Sequence, residues 1–331
     1  MRCTVLGAGS WGTALALQLA RGGHETVLWD RNPSRCDAIQ SNRRNPRYLT
    51  QIDLPSTLEA EPHLGAALEG AELVVPSVPS HALRDVLTQA RSSIADSSVI
   101  ACATKGIEQG SLMHMHEVLV DVLPNPRRLT VLYGPSFAME VAQGQPTAVV
   151  VAGGDQAAQE AAGAFHSESF RTYHTDDVVG VCIGGSLKNV MAIACGVSDG
   201  VGLGANARAA LITRGLAEIS RLAVALGAHP LTLMGLAGMG DLVLTCTGDL
   251  SRNRRVGLAL GKGRTLEDIL EELGEVAEGV TTTRSALALA RKHGVEMPIT
   301  EQIHALLFED KPSHAALADL MGRARRSERD G

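Results

Sequence analysis

Lys188 stands in Ser186-Leu-Lys-Asn-Val-Met-Ala-Ile-Ala-Cys-Gly196, one ammonium among apolar and small residues that read as a buried helix. An ammonium unpaired in such a helix is costly, and burial pushes an amine down from its reference pKa of about 10.4. An amine poised that way gives or takes a proton near neutral pH. The competing account is a lysine whose stem covers apolar surface while its head stays wet. A second constellation is Met239-Gly-Asp241, followed by Asp249-Leu-Ser251-Arg-Asn-Arg-Arg255. Ser251 has the place of a helix N-cap, which puts Arg252, Asn253, Arg254 and Arg255 in the first turn. Cations are disfavoured at the positive end of a helix dipole, so this turn asks for an anion. A phosphate would satisfy the serine hydroxyl, the amide, the guanidinium and the free N–H groups together. A surface ion pair with Asp249 is the alternative.

Two further stretches, Ala103-Thr-Lys105-Gly106 and Tyr133-Gly134-Pro-Ser136-Phe-Ala138, each follow a predicted strand. They are turn sequences first, but successive strand ends at the carboxyl edge of a sheet are where α/β proteins hold ligands. His114-Met-His116-Glu117 looks like a metal cluster, yet residues i and i+2 point to different faces of a helix, so no metal is expected there. Cys102 without a partnering His reads as a small buried residue rather than a nucleophile.

The cofactor signal is Gly7-Ala-Gly9-Ser10-Trp11-Gly12, a G-x-G-x-x-G run between the first strand and the first helix. Gly7 suits the tight turn, Gly9 the approach of a pyrophosphate, and Gly12 the close packing of helix on strand. The second strand ends in Asp30-Arg31, roughly 20 residues on, where the adenosine ribose would bind. Asp30 favours the ribose of NAD and Arg31 the 2′-phosphate of NADP, so both cofactors remain open.

Those residues need elements to hold them. To about residue 175, short β-branched runs alternate with helical stretches, the signature of a parallel sheet with crossover helices. Strands are predicted at Cys3–Leu6, Thr26–Trp29, Leu73–Val75, Val99–Ala101, Thr130–Tyr133 and Ala148–Val151, and helices at Trp11–Arg21, His81–Arg91 and Ser111–Leu123. Helical periodicity then takes over through Val178–Val197, Ala205–Leu226, Arg254–Gly261, Leu266–Leu273, Thr281–His293 and Ile299–Leu307. The expectation is α/β: a Rossmann-type domain over residues 1–177, then an all-helical domain over 178–331. The charged tail from Arg323 is expected to fray.

Length and charge fit that division. A chain of 331 residues supports two cores, and a net charge of -6 argues against nucleic-acid or membrane-surface partners, which need a broad basic face. An anionic small molecule needs only a local one. The six cysteines form no CxxC pair and read as reduced residues of a cytosolic protein. The apolar N-terminal stretch reads as strand, turn and helix rather than a signal peptide, because Gly7, Gly9 and Gly12 interrupt it. No other run is expected to approach the roughly 20 apolar residues of a membrane span.

Taken together, the chain resembles the bacterial-type NAD(P)-dependent glycerol-3-phosphate dehydrogenases from end to end. The likeness rests on Gly7–Ala16, Val78-Pro-Ser80, Ala103–Gly106, Gly134–Ala138, the long and highly specific block Leu187–Glu218, Gly238–Thr247, Ser251–Arg255 and Glu278-Gly279. It implies a Rossmann domain with a helical domain of the 6-phosphogluconate dehydrogenase C-terminal type, in a cytoplasmic homodimer. It implies hydride transfer between NAD(P)H and dihydroxyacetone phosphate, a triose phosphate, giving sn-glycerol 3-phosphate for phospholipid synthesis. By the same resemblance Lys188 is the proton donor or acceptor, Lys105 could assist, and Asp241 orients Lys188 or holds a substrate hydroxyl. Lys105, Gly134, Ser136, Asp241, Ser251, Arg252 and Asn253 would contact substrate. Ser10, Trp11, Arg31, Tyr48, Lys105, Ala138, Arg252, Val276 and Glu278 would line NAD or NADP. A related dehydrogenase for a 3-hydroxy acid or ketopantoate, or a non-enzymatic dinucleotide sensor, are the other readings.

Overall fold

The computed structural model describes residues 1–123, 128–273, 277–324 and 327. The chain divides into two compact units, Met1–Lys105 with Met113–Val178, and Gly106–Leu112 with Val179–Gly331. The short segment after Lys105 thus belongs with the helices. Its Gly106 N–H donates to Ser186 Oγ at 3.1 Å, and that hydroxyl is also 2.7 Å from the Cys182 carbonyl one turn earlier.

In the first unit, β1 (Arg2–Leu6), β2 (Glu25–Trp29), β3 (Leu58–Glu61), β4 (Leu73–Pro76), β5 (Val99–Cys102), β6 (Leu129–Tyr133), β7 (Thr147–Gly153) and β8 (Phe170–Thr175) make one sheet in the order β3-β2-β1-β4-β5-β6-β7-β8. The first six are parallel and follow the Rossmann order, whose direction of winding reverses between β1 and β4. Helices α1 (Ser10–Arg21), α2 (Pro33–Asn42), α3 (Leu64–Leu68), α4 (Ser80–Ala90), α5 (Met115–Val122), α6 (Ala138–Ala142) and α7 (Asp155–Phe165) connect them. The continuous apolar burial of β4 and β6 fits strands covered on both faces.

Three expectations need correction. The sheet is not wholly parallel: β7 runs antiparallel to β6. The five-residue α6 spans only about 8 Å, against about 16 Å for a five-residue strand, so this connection is too short to carry the chain back along the sheet. The strands β3 (Leu-Glu-Ala-Glu) and β8 (Phe-Arg-Thr-Tyr-His-Thr) add to the predicted set; as edge strands they bury little and lack an apolar run. The helix expected over Ser111–Leu123 starts only at Met115, because Leu112 is left-handed at φ +61° and His114 is the N-cap of a capping box with Glu117. Burial pushes the imidazoles of both His114 and His116 down, the latter to about 4.

The second unit contains α8 (Val178–Val201), α9 (Gly204–Ala225), α10 (Pro230–Leu233), a π turn at Leu236–Gly240, α11 (Asp241–Thr247), α12 (Arg252–Gly261), α13 (Leu266–Leu273), α14 (Glu278–Lys292), α15 (Pro298–Phe308) and α16 (Ser313–Met321). Against expectation, α8 and the stretch Pro230–Thr247 are long and apolar enough to cross a membrane by length and composition. In α8 that apolarity is spent on a core: 89% of its most apolar window is buried. Helix α12 lies backbone to backbone against α8. A Cβ on Gly257 would sit 2.0 Å from the Ile193 carbonyl oxygen, and one on Gly196 2.1 Å from that of Arg254. No other residue type fits so close an approach, which fixes the start of α12 beside the middle of α8.

Candidate active site

Lys188 lies three turns into α8 and is not unpaired. Its Nζ donates to Asp241 Oδ1 at 2.5 Å and to Thr245 Oγ1 at 2.9 Å, both on α11. The Thr245 hydroxyl donates its own proton to the Asp241 carbonyl at 2.6 Å, which leaves its lone pair for the ammonium. The carboxylate side chain is 1% exposed and that of the lysine 10%. What exposed surface the pair has therefore belongs to the lysine side chain, and the carboxylate is sealed. Thr245 was not singled out in the sequence; its signal is the i,i+4 spacing from Asp241, which sets both on one helix face.

The basic turn is built as expected at its cap and differently at its charges. Ser251 Oγ accepts from the Arg254 N–H at 3.2 Å. Arg254 is neutralised within the unit by Asp199 at 2.7 Å and Asp249 at 2.8 Å, so the ion-pair alternative holds for that residue. Arg252 and Arg255 are exposed. Asn253 is buried, and its Oδ1 accepts from the Gly279 N–H at 2.9 Å, leaving its NH2 as the donating half. That bond ties the first turn of α14, with half-buried Glu278, to the first turn of α12. A Cβ on Gly279 would lie 2.7 Å from the carbonyl oxygen of Asn189, the residue after Lys188. The helical unit thus gathers Lys188, Asp241, Ser251, Asn253 and Glu278 around one stretch of α8. Val276 lies outside the described residues.

In the sheet unit, the ends of β5 and β6 bring Lys105, Gly134 and Ser136 together. Lys105 Nζ is 3.5 Å from the Gly134 carbonyl oxygen and 5.3 Å from the centre of the Tyr133 ring. Ser136 Oγ donates to the same carbonyl at 3.0 Å, and the Tyr133 hydroxyl to the Thr104 carbonyl at 2.5 Å. Ala138, half-buried, opens α6 just beyond. Burial pushes the Cys102 thiol up to about 12, so it carries no thiolate at neutral pH.

The glycine turn fits a dinucleotide. Gly7 adopts φ +115°, and a Cβ on Gly12 would sit 1.9 Å from the Gly7 oxygen, so turn and helix close tightly. A Cβ on Gly9, by contrast, would meet nothing within 4 Å, and no side chain caps the first turn of α1 at Ser10. Open space before uncapped N–H groups is what an anionic pyrophosphate requires. The Trp11 indole N–H is buried without a protein acceptor beside them. Asp30 is already engaged: its carboxylate accepts from the Asn32 N–H at 2.9 Å and the Ala8 N–H at 3.3 Å, and pairs with Arg35 at 2.6 Å. Arg31 is exposed, and Tyr48 is flanked by the Arg35 and Arg47 guanidinium groups at 5.5 and 5.4 Å.

Comparison with known proteins meets this geometry. The chain matches the family models described as the NAD-dependent glycerol-3-phosphate dehydrogenase N-terminus, over residues 2–159, and C-terminus, over residues 177–318. The chain belongs to the NAD-dependent glycerol-3-phosphate dehydrogenase family. It is 56% identical to a glycerol-3-phosphate dehydrogenase [NAD(P)+] of Anaeromyxobacter dehalogenans over 99% of this chain and all of that one. The crystal structure of a glycerol-3-phosphate dehydrogenase from Coxiella burnetii superposes with a TM-score of 0.93 at 45% identity, covering 97% of this chain and 99% of that one. A ketopantoate reductase from Ralstonia eutropha, over 96% of this chain and all of that one, reaches a TM-score of 0.59 at 18% identity, a likeness of fold alone. Family membership therefore decides against the ketopantoate alternative.

Proposed function

We propose that this chain interconverts dihydroxyacetone phosphate and sn-glycerol 3-phosphate with NAD(P)H, and that Lys188 handles the proton at C2. Family membership supports the reaction. The observation that carries the role of Lys188 is its amine, held on a largely buried side chain by Asp241 and Thr245. Residues 1–177 form the NAD(P)-binding domain and 178–331 the substrate and catalytic domain, in a cytoplasmic homodimer.

When bound, the nicotinamide supplies or removes the hydride at C2. As a ketone is reduced, negative charge grows on its C2 oxygen; the Lys188 ammonium stabilises that charge and delivers a proton to the oxygen. In the reverse direction the amine accepts the proton. Asp241 and Thr245 hold Nζ in place and stay off the substrate. Ser251, Arg252 and the Asn253 amide bind the phosphate, and Lys105, Gly134 and Ser136 are further triose contacts. Glu278 and Val276 with Arg252, and Gly7, Gly9, Ser10, Trp11, Gly12, Arg31, Tyr48 and Ala138, hold the cofactor. Gripping the phosphate, remote from C2, lets binding energy align the reacting carbon.

Arg252→Ala should raise KM for dihydroxyacetone phosphate about 10- to 100-fold through loss of a charge-assisted contact, with kcat changed far less. Steady-state kinetics check this, and an unaltered KM removes the phosphate from that turn. Because Asp30 is engaged by Ala8, Asn32 and Arg35 while Arg31 is exposed, NADPH is the cofactor this strand end favours. Arg31→Ala should raise KM for NADPH about tenfold and leave KM for NADH unchanged. Equal changes for both cofactors would contradict that assignment.

A further inference from the structure

The helical unit contains a cavity of about 510 Å³ that none of the candidate active-site residues line. Helix α9 forms one wall, and its cavity-facing residues change character along their length. Leu203, Ala207 and Leu211, at and just after the helix start, are apolar; Arg214, Glu218 and Arg221 follow at the same helical period. Ile303 and Leu306 of α15, with Leu317 and Leu320 of α16, complete the apolar part.

The charged part sets three arginines, Arg214, Arg221 and Arg323, against one carboxylate, Glu218. Arg214 has no hydrogen bond or ion pair among the described residues. Arg221 donates to the Glu296 carbonyl at 3.2 Å but keeps Nη1 buried with no acceptor; burial first, with repulsion from Arg214 and Arg323, pushes its guanidinium below the usual range, while Glu218 and Glu296 oppose this. Glu218 offsets the arginines only in part. Its oxygens are taken by the Ile299 N–H at 2.6 Å and the Thr300 N–H and hydroxyl at 3.3 Å, and burial pushes its carboxyl up to about 7. Ser198, 3% exposed on α8, lines the cavity with a hydroxyl that has no partner, and the Gln302 side-chain oxygen is likewise buried without a donor. Buried polar atoms left unmatched in this way are costly unless a ligand satisfies them.

We propose that this cavity binds a single-chain amphipathic anion, an alkyl chain bearing a carboxylate or phosphate head. The chain lies along the Leu203–Leu211 half of the α9 wall. The head meets Arg214 and Arg221 and is met by the Gln302 amide, whose NH2 faces it when the amide is turned over. A free phosphate would leave the apolar half empty, and a neutral lipid would leave the guanidinium groups unmatched. The volume suits a ligand of this size.

The test is calorimetric titration of the full-length protein, below the micellar concentration of each probe, with dodecyl phosphate, laurate, dodecanol and inorganic phosphate. Saturable binding of one dodecyl phosphate or laurate per chain is expected, at least tenfold tighter than dodecanol or inorganic phosphate. A chain two carbons shorter should bind about 15-fold more weakly, since each buried CH2 contributes about a fourfold factor. Arg214→Gln should weaken binding at least tenfold, and Leu211→Trp should block it by filling the apolar half. Should Leu211→Trp fail to fold, Arg214→Gln and the chain-length series still decide. The proposal is overturned by no saturable binding, by equal binding to Arg214→Gln, or by inorganic phosphate binding as tightly as the alkyl ligands. It is overturned too if light scattering shows that Leu211→Trp breaks a dimer while ligand affinity is unchanged, since the cavity wall then belongs to contact with a second copy. None of these readouts involves triose phosphate turnover, so failure here leaves the proposed reaction standing.

Discussion

Lys188→Ala is expected to lower kcat for dihydroxyacetone phosphate reduction by about 100- to 10,000-fold, the usual worth of a positioned proton donor. Cofactor affinity should not change, because the glycine turn, Arg31 and Tyr48 are untouched. The loss should appear equally in kcat and kcat/KM if the ammonium acts only on charge that develops during the reaction. Lys188→Ala also leaves Asp241 buried without its cation, so activity has to be expressed per folded molecule. Lys188→Arg does not restore wild-type turnover, because a planar guanidinium cannot take the place of a compact ammonium between Asp241 Oδ1 and Thr245 Oγ1.

Asp241→Ala should destabilise the protein by about 3–5 kcal/mol, since it strands a charge in a site where the carboxylate side chain is 1% exposed. In thermal unfolding this corresponds to roughly 10 °C in Tm. Turnover should fall with it, because Nζ loses its stronger anchor, while KM for the triose phosphate stays near the wild-type value. A large rise in KM would show instead that the carboxylate grips a substrate hydroxyl. The double variant Lys188→Met with Asp241→Leu separates the two effects: two apolar side chains of similar volume should recover most of the stability and none of the activity.

The sequence discloses the chemistry more readily than its partners. The glycine turn is legible because three glycines, a strand and a helix are contiguous, and Ser251 is legible as a cap because capping is local. What brings Asp241 to Lys188 is not local: the two lie far apart in the chain, and their pairing depends on how α11 packs against α8. Spacing alone therefore leaves a buried and a wet lysine equally open, and both miss the ion pair. The same holds for Arg254, whose partner Asp199 sits at the far end of α8. Asp30 reads as a ribose ligand from its place at a strand end, yet the structure shows it bracing the turn through Ala8, Asn32 and Arg35. Edge strands β3 and β8 hide because one-sided burial leaves too few apolar residues to make a pattern. The antiparallel turn into β7 hides in a connection whose length, rather than its composition, decides direction.

The most direct measurement of the central claim is rescue of Lys188→Ala by small primary amines. Removing the side chain leaves room beside Asp241 and Thr245, and an added alkylammonium can occupy it. The account predicts that methylamine or ethylamine restores turnover in proportion to its concentration, and that tetramethylammonium, with no N–H, restores none. Turnover of the variant equal to wild type, or rescue by tetramethylammonium as effective as by methylamine, would contradict it.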